Sequence, residues 1–329
     1  MSVDEGNSEL SGAGDALARL IRVAGRREQP PREAYERALQ AATNTWRRKL
    51  RQRQYTWVSG LAAALLVVVA LAWQALRPVT TSVQVAHFDR VIGSVQMRSS
   101  GADWADLTAS SARLMSGSSI RTADESGAGL ILDSGHSLRL AEATQLRVLA
   151  SGRFELIAGK LYVATLDGPG HAIAVITAAG TATDVGTQFE VQYLDGQYRL
   201  RVREGAVMLQ RASTSLRSTA REQLTIDADG TVRRSAVSPI DPQWHWVEAL
   251  APAVQVEGRP LTALLDWVAR ETGRAVRFAD REAQQRAATT ILHGNIGTLA
   301  PLEALTAMLA TTDLRHRLLD DGTILIEIR

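Results

Sequence analysis

The chain has 329 residues, no cysteine, 45% hydrophobic and 22% charged residues, and a formal net charge of +2. This length suggests about two or three domains, and the lack of cysteine excludes disulfides, Cys-ligated metal sites and thiol catalysis. The charge is uneven, because residues 1–54 carry 11 basic and 7 acidic side chains whereas residues 55–76 carry none. The chain is therefore organised around one uncharged segment.

Residues 1–54 are predicted to form a short helical segment of two amphipathic helices separated near Pro30-Pro31. The stripe of the first helix consists of Leu17, Leu20, Ile21 and Ala24, and that of the second of Tyr35, Ala38, Leu39 and Ala42. Apolar stripes this short bury too little surface to offset the conformational entropy that the segment would lose on folding by itself. Either the two helices order on a protein partner through Leu17, Leu20 and Ile21, or the segment is a basic tether on anionic lipid.

Residues 55–76 are predicted to form a transmembrane helix. A helix of 22 residues is about 33 Å long, against a bilayer hydrocarbon core of about 30 Å. Tyr55, Trp57 and Trp73 lie near its ends, where aromatic rings favour the headgroup level. A cleaved signal peptide and a buried soluble helix are the alternatives. The long segment before the span disfavours the first, and the run of side chains that is apolar on every face disfavours the second.

The orientation of this helix follows from its flanks. The basic residues before it are Arg47, Arg48, Lys49, Arg51 and Arg53, and Arg77 alone follows closely. The positive-inside rule therefore places the N-terminus in the cytoplasm and residues 77–329 across the membrane. Contact with membrane lipid is expected. Direct nucleic-acid binding is not, because the position of the basic run beside the span explains it better.

Residues 80–237 have the pattern of an all-β domain. Polar and apolar side chains alternate over residues 188–193, and over residues 198–203 in the opposite order, which is typical of half-buried strands. Asp195-Gly196 between them suits a tight hairpin turn that needs positive φ. Similar turn signals recur through this region, so we predict many short strands in a roll, sandwich or solenoid.

A linker is predicted over residues 238–252, where Pro239 and Pro242 interrupt regular structure. The same segment carries Trp244 and Trp246. We expect these rings to pack one domain onto the other, and an exposed aromatic pair that binds a partner is the alternative.

Residues 253–329 contain an internal repeat. Residues 260–269 match residues 301–310, and each copy reads as a helix that begins with proline and carries one apolar face. Strand-like runs flank the two helices at residues 254–256, 275–278, 290–292 and 323–328. Two β–α–β units of this kind predict a small two-layer α+β domain.

Motifs for chemistry are lacking. The six histidines include no pair at i+3 or i+4, and the chain contains no H-E-x-x-H, P-loop or G-x-S-x-G sequence. No catalytic residue, cofactor or metal site is therefore predicted, and an enzyme is disfavoured. The pattern favours a protein that binds and transmits.

One stretch carries a family resemblance. Asp184, Gly186, Thr187, Phe189 and Val191 closely resemble the D-x-G-T-x-F-x-V signature of the FecR family of transmembrane anti-sigma regulators. Physically, the aspartate can hydrogen-bond backbone N–H groups, the glycine can supply a turn or bulge, and the last two side chains can fill a core. The signature therefore reads as structural.

Further segments extend the resemblance over about residues 85–329. Residues 117–122, 137–140 and 202–207 follow the FecR pattern, and the repeat at 253–329 resembles the STN-like domain that ends many FecR proteins. The resemblance implies a regulator in the inner membrane of a Gram-negative cell, with the N-terminus in the cytoplasm and the C-terminal region in the periplasm.

The partners that this resemblance implies lie on both sides of the membrane. The cytoplasmic segment would hold an extracytoplasmic-function sigma factor. The periplasmic part would sense the signalling domain of a TonB-dependent outer-membrane transducer, often one that imports ferric siderophores. We expect the transducer to contact an exposed edge strand that contains Ile324, Ile326 and Ile328. The alternative function is a membrane-tethered periplasmic scaffold or envelope-binding protein without a transcriptional role.

Overall fold

The computed structural model describes residues 19–23, 31–34, 36–41, 83–107, 112–166, 172–184, 186–212, 214–297 and 299–329. The chain divides into two units, Met1–Thr80 and Thr81–Arg329. In the first unit, residues 19–23, 32–34 and 36–41 are helical, where the two amphipathic helices were predicted.

Several predicted features of the first unit lie outside the described residues. They are Leu17, Tyr35, the transmembrane helix at residues 55–76, and the basic residues Arg47, Arg48, Lys49, Arg51 and Arg53. Within the part of the chain that is described, no helix is both long enough and apolar enough to cross a bilayer.

The second unit begins with a β-domain, which confirms the prediction of a β-rich region. Its 17 strands are β1 (Gln84–Ile92), β2 (Val95–Arg98), β3 (Ala105–Asp106), β4 (Arg113–Met115), β5 (Ser119–Thr122), β6 (Gly127–Leu132), β7 (His136–Leu140), β8 (Gln145–Ala150), β9 (Arg153–Thr165), β10 (Ala174–Thr177), β11 (Gly180–Asp184), β12 (Gln188–Leu194), β13 (Gln197–Glu204), β14 (Ala206–Arg211), β15 (Thr214–Thr219), β16 (Glu222–Ile226) and β17 (Val232–Ala236).

These strands form two layers that share β9. The first layer has the order β4-β1-β6-β7-β9-β12-β13-β16-β17. The second has the order β3-β2-β5-β8-β9-β10-β11-β14-β15. β9 and β10 pair in parallel, and the other pairings are antiparallel. Of the three architectures that the sequence left open, the structure therefore has a sandwich-like pair of layers.

The long strand β9 passes from one layer to the other at Gly159. Ala158 pairs with β8 in the second layer, and Gly159 pairs with β12 in the first. Gly159 has a φ of +97°, and a Cβ there would lie 2.4 Å from Thr144 Oγ1. The Lys160 N–H donates to that same hydroxyl oxygen at 3.0 Å. A glycine is therefore needed where the strand turns from one layer into the next.

The core of the β-domain lies between the layers and consists of alternate residues from each strand. Leu138 and Leu140 of β7, and Leu200 and Val202 of β13, are fully buried in it. Each such side chain contributes about 1.5–3 kcal/mol through burial. Because the strands alternate, the residues between these apolar ones point to the outer face of the first layer, where the candidate site lies.

The rest of the second unit is a small C-terminal domain joined to the β-domain by a helical linker. The linker contains a 3₁₀ helix, Pro242–Trp244, and helix α1 (His245–Ala249). The domain then has β18 (Arg259–Pro260), α2 (Leu261–Thr272), β19 (Val276–Phe278), α3 (Arg281–Thr289), β20 (Ile291–Leu292), α4 (Pro301–Leu309), β21 (Leu314–Leu318) and β22 (Ile324–Ile328). β18 pairs with β20, and the other three strands form a sheet of order β19-β22-β21.

This order corrects one prediction, because β22 is not an exposed edge. It lies between β19, which it pairs in parallel, and β21, which it pairs antiparallel. Ile324 and Ile326 are fully buried and Ile328 packs partly against the same core. The isoleucines are therefore occupied by packing, and the predicted edge position is wrong.

The helices of the domain differ from the prediction in smaller ways. The first strand begins at Arg259 and not at residue 254, and Pro260 is the N-cap of α2, whereas Pro301 occupies the first turn of α4. Helix α3 was not predicted. Its apolar stripe is only Ala283 and Ala287, too weak a period to stand out from the surrounding polar residues.

Candidate functional site

Four arginines lie on the outer face of the first layer, and we call Arg90, Arg139, Arg201 and Arg203 the arginine face. Adjacent strands place three of them in one cross-strand row. Each residue of this row lies directly opposite the next one on the neighbouring strand, in the order Arg90, Gly129, Arg139, Tyr162, Glu190, Arg201 and Gln223. Arg139, Arg201 and Arg203 are only 0%, 1% and 5% exposed. Arginines are almost never buried to this degree unless they are paired, so the elements that cover them define the site.

The helical linker covers the centre of the arginine face with two aromatic rings. Trp244 and Trp246 meet the ring of Tyr162 edge-on, with centroids 5.8 Å and 6.5 Å away. The guanidinium carbons of Arg201 and Arg203 lie 4.4 Å and 5.1 Å from the centroid of Trp244, which is within the range of a cation–π contact. The indole N–H of Trp244 donates to Ser238 O at 2.9 Å. These contacts agree with the packing role predicted for the two tryptophans.

The C-terminus of helix α2 covers the other side of the face. Arg203 donates from Nη1 to Glu271 O at 2.8 Å and from Nη2 to Thr272 O at 2.6 Å, and its Nε donates to Pro239 O at 2.8 Å. The last carbonyls of a helix lack partners within it and carry partial negative charge. Arg203 therefore acts as a C-terminal cap supplied by the β-domain.

An ion pair reinforces this contact. Arg139 Nη2 donates to Glu271 Oε2 at 2.5 Å, and both side chains are buried. Arg139 Nη1 also donates to Val247 O in the linker at 2.8 Å, and Nε donates to Ser137 Oγ at 3.2 Å. One arginine thus binds both the linker and α2.

Backbone oxygens of the linker and of the C-terminal domain also contact strands β1 and β6. Arg90 donates to Ala249 O at 3.1 Å and to Gly297 O at 2.7 Å. A Cβ added at Gly129 would lie 3.1 Å from Leu250 O. Glycine on β6 therefore leaves the space that the end of the linker occupies.

Glu190 joins the strands of the face to the linker. Its Oε1 accepts from Arg199 Nη2 at 3.3 Å and lies 3.8 Å from Arg201 Nη1, while its Oε2 accepts from the Trp246 indole N–H at 3.1 Å. Asp241 supplies a second carboxylate 3.6 Å from Arg201 Nη2. Two carboxylates thus balance the buried Arg201 charge.

Burial shifts several pKa values at this interface. It lowers the pKa of Arg201, an effect opposed by the charge of Glu190, and it raises the pKa of the Tyr162 hydroxyl. Burial also raises the pKa of Glu248, although Arg203 lies 3.6 Å away and acts in the opposite direction. Among the described residues, Nε and Nη1 of Arg201 have no hydrogen-bond partner. The covered face is therefore charge-balanced but incompletely hydrogen-bonded.

The family-signature residues serve the β-domain itself. Asp184 Oδ1 accepts the Ile173 N–H at 2.5 Å, Gly186 has a φ of +71°, and Phe189 is fully buried in the core. Thr187 is also buried. These positions agree with the structural role that the motif predicts.

A serine, a histidine and an aspartate stand near one another at the end of β7, without the geometry of a catalytic triad. Ser134 Oγ lies 3.0 Å from His136 Nδ1, but His136 Nε2 is 3.9 Å from Asp184 Oδ2, too long for a hydrogen bond. His136 and Asp184 are both buried, so a substrate cannot reach them. No group of three histidine or carboxylate side chains suited to a metal occurs in the described ranges.

The predicted sigma-factor contacts were easier to recognise in the sequence than the residues that join the β-domain to the C-terminal domain. Leu20 and Ile21 are 68% and 67% exposed on the helical residues 19–23, as a partner-binding stripe requires. Of the arginine face, Arg139, Arg201 and Arg203 could have been suspected, since each alternates with apolar residues on a strand. Glu271 had no local signal, because only the tertiary fold brings it to Arg139.

Part of the β-domain matches a known protein family. Residues 118–208, which span β5 to the first half of β14, match the family model described as FecR protein. This part of the chain is therefore a FecR domain, in agreement with the resemblance noted in its signature. No curated protein matches the chain.

Two solved structures are similar to the chain. Both are crystal structures of a proposed anti-sigma factor from Parabacteroides distasonis ATCC 8503, at 1.65 Å and 2.50 Å resolution. They are 16% and 15% identical to the chain, with TM-scores of 0.36 and 0.35. Each match covers 64% of this chain, and 99% and 98% of the respective solved chains.

Proposed function

We propose that the chain is a single-pass inner-membrane anti-sigma regulator. The observation that carries the proposal is the FecR domain at residues 118–208, placed after an uncharged segment with five basic residues on its N-terminal side. The FecR domain and the C-terminal domain would lie in the periplasm, and residues 1–54 in the cytoplasm. The chain has no catalytic role in this account, and it needs no cofactor.

The cytoplasmic partner in this proposal is an extracytoplasmic-function sigma factor. Leu20 and Ile21 support the assignment, because they are large apolar side chains left exposed on a helical stretch. An amphipathic helix of this kind gains stability by laying its apolar face in a partner's groove. Leu17, one turn earlier, would complete the contact.

The periplasmic partner in this proposal is the signalling domain of a TonB-dependent outer-membrane transducer, which responds to iron or a siderophore. The C-terminal domain, which we take to be STN-like, would receive it. β21 is the better docking edge, because it is paired on one side with β22 within the described residues, whereas β22 is paired on both. Arg315 and Arg317 share one carboxylate, Glu327, and the positive charge that remains would favour an acidic strand at this edge.

The covered arginine face supplies a route for the signal through the periplasmic part. A ligand can shift a protein only between states that it binds differently. Arg139, Arg203 and Glu271 join the C-terminal domain to the FecR domain in one discrete arrangement. Docking of the transducer would therefore act by stabilising or breaking this arrangement, and the change would be passed to the membrane segment.

The experiment that tests the proposal measures transcription from a promoter of the cognate sigma factor. Changing Leu17, Leu20 and Ile21 together to Asp is expected to abolish regulation by the inducer, since the apolar stripe is lost. Changing the exposed Arg19 and Arg22 of the same helix to Ala is the matched control and should leave regulation intact.

Two results would count against the proposal. One is wild-type regulation by the triple variant at normal protein level. The other is unaltered transcription after deletion of residues 1–54, which would favour the membrane-tethered scaffold that the sequence also allows.

A further inference from the structure

One corner of the β-domain lies where the chain enters it. Residue 83 is the first described residue of the second unit. The Val83 N–H donates to Ser116 Oγ at 3.1 Å, and the Ser116 N–H donates to Val83 O at 2.8 Å. The next residue of the same turn, Gly117, donates its N–H to Val148 O at 2.9 Å. The entry point and the end of β8 therefore lie on either side of the turn between β4 and β5.

Two large aliphatic side chains are exposed beside this turn. Val83 is 58% exposed, and Leu149, the residue after Val148 on β8, is 42% exposed. The C-terminal domain leaves Leu149 uncovered, because it packs on the outer face of the first layer whereas β8 belongs to the second. The apolar surface at the entry point is thus open to a partner outside the domain.

Arginines surround these two side chains. Arg98 on β2 and Arg147 on β8 are each opposite Ser119 of β5. Arg147 and Leu149 are alternate residues of one strand, so both point to the outer face of the second layer. Arg153, the first residue of β9, pairs with the residue after Leu149. We give the name entry corner to five residues: Val83, Arg98, Arg147, Leu149 and Arg153.

The entry corner carries unbalanced positive charge. Arg147 pairs with Glu155 at 3.0 Å, but no carboxylate of the described residues lies within ion-pair distance of Arg98 or Arg153. The exposed Asp133 follows β6, on the side of β1 away from β4, and makes no ion pair with these arginines. Three arginines are therefore matched by one carboxylate.

An aromatic ring lies at the outer margin of this corner. The guanidinium carbon of Arg98 is 4.8 Å from the ring centroid of the half-buried Trp104, and that of Arg121 is 4.4 Å away. The other charged residues on this margin are two of each sign: Asp103, Asp106, Arg113 and Arg121. Indole rings, arginines and exposed aliphatic side chains are suited to a membrane–water interface, where the apolar parts meet the acyl boundary and the charged heads stay at the headgroups.

We propose that the entry corner binds the surface of the bilayer that the chain spans. Its arginines would contact the phosphate groups of anionic phospholipid, and Val83 and Leu149 would lie at the headgroup level. This inference rests on the membrane span of the proposed function. The span would end at residue 76, so that residues 77–82 alone precede the domain, and an extended chain reaches at most about 25 Å from residue 76 to residue 83. This short tether keeps lipid at high effective concentration, which favours lipid over an acidic protein as the partner.

Binding at this corner would also orient the rest of the periplasmic part. The entry corner lies at the outer face of the second layer, and the C-terminal domain covers the outer face of the first. The outer faces of two packed layers point in opposite directions. A β-domain held on lipid by its second layer would therefore present the C-terminal domain away from the bilayer, where a partner can reach it.

The test places a fluorescent probe on the full-length chain in lipid nanodiscs. The chain has no cysteine, so Leu149→Cys and Ser215→Cys each take one bimane label. Ser215 is exposed on β15 of the same layer, five strands or about 24 Å from β8. With phosphatidylglycerol present, a nitroxide on the lipid headgroups is expected to quench the probe at position 149 about twofold more strongly than the probe at 215. The difference should shrink in phosphatidylcholine alone and in 1 M salt, where the Debye length is about 3 Å.

Charge variants in the Leu149→Cys background test the arginines. Quenching should fall to the level at position 215 in the triple variant Arg98→Gln/Arg147→Gln/Arg153→Gln. The matched control removes the same charge from exposed positions of the C-terminal domain and should be quenched as strongly as the unsubstituted chain: Arg281→Gln/Arg315→Gln/Arg317→Gln. Both triple variants should keep the wild-type thermal unfolding midpoint, because all six side chains lie at the surface.

Three results would overturn the proposal: equal quenching at positions 149 and 215, quenching that is independent of anionic lipid, or equal quenching of the two triple variants. A probe at 149 that is unquenched in nanodiscs but shielded from aqueous iodide in native membranes would overturn it in favour of an acidic protein partner. Release of the chain from membranes by alkaline carbonate would refute the span, and with it the proposed function. A chain that stays in the membrane with an unquenched probe would refute the lipid contact alone.

Discussion

Removal of the Glu271 carboxylate should loosen the C-terminal domain from the FecR domain. The Arg139–Glu271 pair is buried on both sides, with an N···O distance of 2.5 Å. Breaking such a pair from one side costs about 3–5 kcal/mol, because the remaining charge is left in a low-dielectric site. Arg139 keeps its bonds to Val247 O and Ser137 Oγ, so we expect Glu271→Ala to cost about 3 kcal/mol, at the low end of that range.

Urea unfolding followed by tryptophan fluorescence would measure this change, since Trp244 and Trp246 lie in the interface. The double variant Arg139→Met/Glu271→Leu should recover part of the lost stability, because apolar residues of similar size can replace a buried pair while Val247 O and Ser137 Oγ lose the guanidinium donor. Asp313→Ala is the control. It breaks an exposed pair with Arg286 at 3.0 Å, which is worth about 0–1 kcal/mol. If Glu271→Ala costs no more than Asp313→Ala, the pair does not hold the domains together and the reasoning fails.

Three further substitutions probe the same interface. Trp244→Ala should cost about 3–5 kcal/mol in the free energy of unfolding, since it empties a fully buried site, and a loss below about 1 kcal/mol, the level of a surface change, would contradict the packing described. Gly273→Ala should cost more than Gly258→Ala in thermal denaturation. Both glycines have positive φ, but a Cβ at Gly273 would lie 2.5 Å from Pro239 O whereas one at Gly258 meets no atom within 4 Å; equal losses would argue against tight docking. Glu248→Gln should raise stability at neutral pH. Burial raises the pKa of Glu248 in the folded state, so its contribution to stability is greatest below its unfolded pKa and is lost as pH rises through the folded value. The gain should therefore disappear in unfolding curves measured at increasingly acidic pH, and a gain that is constant with pH would contradict this.

The β-domain was predictable because its signals are local. Alternation of polar and apolar side chains, with Asp195-Gly196 between two such runs, leads directly to the hairpin of β12 and β13. The assignment of hairpins to two layers was not predictable. It depends on which strands meet across the core, and on the turn of β9 at Gly159, which no two-residue period encodes.

The position of β22 shows a similar limit. Ile324, Ile326 and Ile328 indicate a strand with one apolar face, and this pattern is the same for an edge strand and for a central strand. Only pairing with both β19 and β21 distinguishes the two. The strand was therefore predicted correctly, but its place in the sheet was not.

The candidate site was only partly visible in the sequence. Trp244 and Trp246 stood out as an aromatic pair in a proline-containing linker, and their packing followed from that. Arg139 and Glu271 are 132 residues apart. Arg139 alternates with Leu138 and Leu140 on β7, but nothing local marks Glu271 as its partner. Long-range ion pairs of this kind follow from the tertiary fold and cannot be read from spacing.

The most direct test of the account is recovery of the sigma factor with the regulator. The full-length chain would be purified from native membranes without inducer, and its co-purifying proteins identified by mass spectrometry. We predict that one extracytoplasmic-function sigma factor is enriched with the wild-type chain and absent with the Leu17→Asp/Leu20→Asp/Ile21→Asp variant. Enrichment of no sigma factor, or equal enrichment with both chains, would contradict the central claim that the N-terminal helices hold one.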